Sequence, residues 1–111
     1  TGWKAYPVTI ELKKGGIHRG HSLLVVTGKC GPLDDSKSPK VERSSNAGDG
    51  VLIEVYRGLF FDLDTWDGSD LFVPAGHGFL FATKTVRDCF RKARVTNVDF
   101  ERLDQVERLM L

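Results

Sequence analysis

Phe79-Leu80-Phe81-Ala82-Thr83-Lys84-Thr85-Val86-Arg87-Asp88-Cys89-Phe90-Arg91-Lys92-Ala93-Arg94 is the stretch that decides the fold. Phe79 to Phe81 has the apolar density of a short strand. Beyond it, Thr83 or Thr85 can accept hydrogen bonds from the free amides that open a helix, and Val86, Cys89, Phe90 and Ala93 recur at helical spacing on one face. Arg91, Lys92 and Arg94 gather at the end, where cations suit the negative pole of the peptide dipoles. Asn97 tolerates the left-handed backbone that often stops a helix. The spacing predicts a helix over about 84–94, with Val86, Phe90 and Ala93 docked on a β-layer built from the preceding apolar runs.

Apolar runs lie on both sides of the helix. From Tyr6 to Leu12 the residues Val8, Ile10 and Leu12 alternate with Thr9 and Glu11, the period of a half-buried strand. Lys13-Lys14-Gly15-Gly16 ends it. Leu23-Leu24-Val25-Val26, closed by Gly28, reads as a central strand, and the two strands are positioned to form a hairpin. Val51 to Tyr56 alternates, Gly58 allows a bend before Leu59-Phe60-Phe61, and Leu71-Phe72-Val73 precedes the break at Pro74-Ala75-Gly76. Val98 to Leu103 alternates again as a closing strand. Between Gly28 and Gly50 only Leu33, Val41 and Ala47 interrupt a polar, Gly- and Pro-containing stretch, which predicts a long irregular loop about 28–50. The expectation is a single domain, 1–111, of the α+β class: a mostly antiparallel sheet with one helix (about 84–94) packed on one face.

A chain of 111 residues, 41% hydrophobic and 28% charged, has enough apolar content for one core and enough charge to stay in solution. Sixteen basic residues against fifteen acidic ones leave +1, so no whole-chain field steers the protein to nucleic acid or to an anionic membrane. No apolar run approaches the roughly 20 residues of a membrane-spanning helix, and Thr1-Gly2-Trp3-Lys4 has no signal-peptide pattern. These features predict a cytoplasmic protein with neither a nucleic-acid nor a membrane partner. Cys30 and Cys89 read as a reduced pair. Cys89 falls on the apolar stripe of the helix, and Cys30, beside Lys29, is the more exposed thiol.

Several clusters invite chemistry. Within Asp62-Leu63-Asp64-Thr65-Trp66-Asp67-Gly68-Ser69-Asp70 a calcium loop would need ligands at its first, third and fifth positions, a Gly at the sixth and an acid at the twelfth. The register fails, because Gly68 comes one residue late and Val73 stands where the acid belongs. The segment then reads in two ways. Its carboxylates can bond their own backbone in a solvated turn, or Asp62, Asp64, Trp66, Asp67 and Asp70 can form a partner surface, an aromatic anchor inside an acidic rim. Trp66 can equally belong to the core. His18 and His21 lack a third metal ligand nearby. His77, between Gly76 and Gly78, can present its imidazole but has no evident nucleophile partner. Arg87, Arg91, Lys92 and Arg94 are diluted by Asp88, Asp99 and Glu101 and read as a solvated face. The glycines match no phosphate-binding fingerprint, and no cofactor is expected.

A wider pattern joins Leu23-Leu24-Val25-Val26, Asp34-Asp35-Ser36-Lys37-Ser38, Gly58-Leu59-Phe60-Phe61-Asp62, Ser69-Asp70-Leu71-Phe72 and Phe79 through Asp88. In this order of features, about residues 20–103, the chain resembles a bacterial family of polymorphic toxin systems, immunity protein eleven. Where that family has a Thr-Gly-hydrophobe-Glu-Phe strand after its helix, this chain has Thr96-Asn97-Val98-Asp99-Phe100. The resemblance implies a protein that neutralises a cognate toxin by binding it, without cofactor or turnover, and it carries over no catalytic residue. The alternative expectation is a small enzyme or ligand-binding domain using His77 or the Asp62–Asp70 loop.

Overall fold

The aromatic residues that dominate the second half of the chain converge on one small core. In the computed structural model, which describes residues 1–44 and 50–109, Cys30, Leu59, Phe72 and Phe81 are each at most 6% exposed. Phe61, Trp66, Leu103 and Val106 pack around them. Phe72 meets the rings of Phe81 and Phe61 edge-on, at centroid distances of 5.5 and 5.9 Å, the geometry that opposes a ring edge to a π-face.

The strands are β1 (Trp3–Glu11), β2 (Ile17–Val26), β3 (Gly28–Cys30), β4 (Lys40–Ser44), β5 (Leu52–Arg57), β6 (Leu71–Pro74), β7 (Phe81–Ala82) and β8 (Glu107–Leu109), with one helix, α1 (Lys84–Lys92). This is a mostly-sheet α+β fold whose pairing is predominantly antiparallel. The strands form three small sheets rather than one: β1-β2, β3-β6-β7 and β4-β5-β8. The β3–β6 pair is parallel. β6 sits in the middle of its sheet with Leu71, Phe72 and Pro74 buried, as expected for a short apolar strand covered on both faces.

The stretch expected as an irregular loop over 28–50 is structured up to the last described residue, Ser44. It carries β3, a 3-10 turn at Asp35–Lys37, and β4, while 45–49, including Ala47, lie outside the described residues. Its polar residues satisfy backbone instead of solvent. Asp34 Oδ1 accepts from the Ser36 amide at 3.1 Å, and the buried Ser38 hydroxyl donates to the Gly58 carbonyl at 2.8 Å. Leu33 bridges to Phe61. On the β4-β5-β8 sheet, Glu107 accepts two bonds from Arg43 Nε, at 3.0 and 3.1 Å, tying β8 to the far strand β4.

The helix is where its spacing placed it, with different ends. Thr83 is the N-cap residue, yet its hydroxyl makes no capping bond and donates to Asp70 Oδ1 at 3.1 Å. At the other end Ala93 caps the helix and Arg94, not Asn97, takes the left-handed conformation, with φ of 57°. Val86 and Phe90 are half-buried, and Phe90 meets Phe100 edge-on at 5.5 Å. Cys89 and Ala93 are exposed, because α1 turns only its Val86–Phe90 stripe inward. Residues 98–103 are irregular rather than a closing strand; they cross α1, and the closing strand is β8.

Candidate partner-binding surface

The acidic loop is held from within. Asp62 caps a 3-10 turn at Leu63–Thr65, its Oδ1 accepting from the Asp64 amide at 3.0 Å. Thr65 Oγ1 accepts from the Gly31 amide at 2.8 Å, stitching this turn to β3. Asp67 accepts from the Lys29 amide at 3.0 Å, from the Ser69 amide at 3.1 Å and from the Ser69 hydroxyl. The Ser69 hydroxyl and then the Ser69 amide hold its carboxyl below the usual carboxylate range. Asp70 accepts from the Thr1 amino group at 2.6 Å and from Thr83, which joins the start of α1 to the residues before β1; the Thr1 amino group is the main cause of its lowered pKa.

Trp66 is half-buried, its ring 5.3 Å from that of Phe72 and its Nε1 donating to the Ser69 carbonyl at 3.1 Å. It covers the core more than it addresses solvent. Of the five residues read as a partner surface, only Asp64 points a carboxylate outward that neither pairs nor hydrogen-bonds through its side chain among the described residues. Beside it Leu63 is 71% exposed.

A larger surface was hidden from sequence reasoning. β1 and β2 form a two-stranded sheet that pairs with no other strand among the described residues. Trp3, Tyr6, Leu12, Ile17, Leu23 and Leu24 on this hairpin are between 45 and 60% exposed. Leu23-Leu24-Val25-Val26, expected as a central strand, is therefore an edge strand with apolar side chains on both faces, because no layer covers either face fully. A signal was present in the tip Lys13-Lys14-Gly15-Gly16 and in Pro7. Gly2, paired opposite Thr27, accepts from its amide at 2.7 Å, so alternation along the ladder makes Pro7 a position that bonds no partner. Its missing N–H lies on the outer edge, where it blunts β1 against further pairing. β2 has no proline, and its edge is regular over residues 21–26, beyond the bulge at Arg19 and Gly20.

The hairpin register shifts between Val8 and Ile10, opposite Gly20 with φ of 84°, and this irregularity brings the His18 and His21 rings to 6.0 Å. No group of three His, Cys, Asp or Glu side chains able to hold a metal occurs among the described residues. His77 sits beside Phe79, ring centroids 5.9 Å apart, and no carboxylate or hydroxyl is hydrogen-bonded to its imidazole among the described residues. The thiols exchange the roles expected of them. Cys30 is buried in the core, which pushes its pKa up, while Cys89 is exposed.

A groove of about 710 Å³ opens between α1, residues 98–103 and the β6–β7 region. Its walls are apolar, including Phe72, Phe81, Phe90 and Phe100. Lys84, Arg87 and Arg91 line it from the helix and Asp99 and Glu101 from the other side. His77 does not reach it. No helix among the described residues is long and apolar enough to cross a membrane. Comparison with known proteins finds no matching family model, no matching curated protein and no matching solved structure.

Proposed function

We propose that the chain is a protein-binding module, an immunity protein that neutralises a cognate bacterial toxin in the cytoplasm by direct binding. The observation that carries this reading is the β1–β2 hairpin, whose apolar side chains stand in solvent on a strand pair that is marginal by itself in water. Exposed apolar surface of that extent marks an interaction site on a soluble protein. The resemblance of residues 20–103 to immunity proteins supplies the kind of partner. The alternative, a small enzyme or ligand-binding domain using His77 or the Asp62–Asp70 loop, draws no support from the surroundings of His77, and neither His77 nor that loop lines the groove beside α1.

In the acidic loop Asp62, Asp64 and Asp67 are exposed, Asp64 is the carboxylate without an internal bond among the described residues, and Leu63 stands in solvent beside it. Co-expression with the product of the neighbouring gene is expected to yield a complex that survives size-exclusion chromatography. Asp64→Lys tests the loop at this site, since Asp67→Lys also breaks the bonds to Lys29 and Ser69. Failure of the wild-type chain to co-elute with that product overturns the reading.

A further inference from the structure

We infer that the β1–β2 hairpin is the docking surface, and that its occupant is an acidic, apolar-faced extended segment of a partner protein that adds to the open edge of β2. This deepens the protein-binding reading and rests on it, but not on the partner being a toxin.

Apolar side chains flank the β2 edge on either face. Leu24 on one face and Leu23 on the other are each about half exposed, so alternate side chains of a strand added beside β2 meet apolar surface above and below. The charge selects the occupant. The hairpin carries Lys4, Lys13, Lys14 and Arg19 against the single acid Glu11, a net +3 in a chain of net +1, so the rest of the molecule carries −2. A second copy docking hairpin to hairpin would oppose +3 with +3. An acidic segment is attracted to the same surface, and opposite charge speeds encounter and rejects wrong partners. The edge selects the mode: with Pro7 on the outer side of β1 and the bulge at Arg19 and Gly20 in β2, strand addition is left to residues 21–26 of β2, whose outward amides and carbonyls form the ladder while alternate side chains reach Leu23 and Leu24.

The probes are two synthetic nine-residue peptides, one alternating Val with Glu and one alternating Val with Lys, titrated into the full ¹⁵N-labelled chain. The Glu peptide is expected to bind at least tenfold more tightly, with amide shifts concentrated in residues 17–26. Arg19→Glu, at an exposed position, is expected to weaken the Glu peptide at least fivefold while leaving the circular dichroism spectrum unchanged. Leu23→Glu is expected to weaken it at least tenfold. Equal affinity for the two peptides, shifts centred on Phe90 and Phe100, or unchanged binding in Arg19→Glu overturns the inference. So does tighter binding to phosphatidylglycerol vesicles or duplex DNA than to the Glu peptide, or a hairpin-dependent dimer in sedimentation equilibrium. If the peptide binds as expected and the toxin does not co-elute, the immunity reading fails and the surface stands; if the toxin complex forms unchanged in both hairpin variants, the reverse holds.

Discussion

Gly28 shows how tightly β3 is sewn to the core. A Cβ there would lie 2.0 Å from the Leu71 carbonyl and 2.1 Å from Ser69 Oγ, and the carbonyl belongs to β6, the strand on which β3 pairs. Gly28→Ala is expected to cost about 3 kcal/mol in urea unfolding, the upper range for forcing atoms into a filled site. Gly78→Ala, which meets nothing within 4 Å, serves as the near-neutral control. Asp67 predicts a pH dependence. Its carboxyl titrates below the ordinary value of 3.8 when folded, so the stability it contributes is complete above that value and is lost as pH falls through the lower, folded one. Urea midpoints measured at pH 7 and pH 3 are expected to differ less in Asp67→Asn than in the wild type. The turn-forming potential of these acids was legible in sequence. Their partners were not, since Asp67 reaches Lys29 and Asp70 reaches Thr1 and Thr83 across sequence gaps that no local pattern encodes.

At the scale of elements, α1 was the easiest to read and its environment the hardest. Helical spacing identified the inward pair Val86 and Phe90, but Cys89 and Ala93 on the same stripe are exposed, because the helix leaves a groove beside it instead of a closed interface. Phe90→Ala is expected to lower stability by about 2 kcal/mol, below the 3–5 kcal/mol of a fully buried Phe, since the ring is half-buried and loses mainly its contact with Phe100. Thermal unfolding followed by circular dichroism measures it, and a cost under about 0.5 kcal/mol would mean that α1 does not rest on this residue. β3 and β4 escaped sequence reasoning for the opposite reason. Gly28-Lys29-Cys30 and Lys40-Val41-Glu42-Arg43-Ser44 have little apolar periodicity, and their strand character comes from pairing with β6 and β5.

The whole molecule is elongated, with a Cα radius of gyration of 18.1 Å and extents of 50 × 40 × 28 Å, where a compact chain of this length has a radius of roughly 13 Å. Small-angle scattering from dilute monomer is expected to give a radius near 18 Å; a value near 13 Å would place the hairpin against the body and remove the exposed surface on which the functional reading depends. From residue order alone came the α+β class, the hairpin, a helix over about 84–94 and the self-bonding turns of Asp62 and Asp67, all of which arise from periodicity or from side chains that bond backbone within a few residues. Tertiary structure alone decided which apolar runs are covered. Leu23-Leu24-Val25-Val26 and Leu71-Phe72-Val73 look equally suited to a core, yet only β6 has strands on both sides, because burial is a property of what packs against a segment and not of the segment itself.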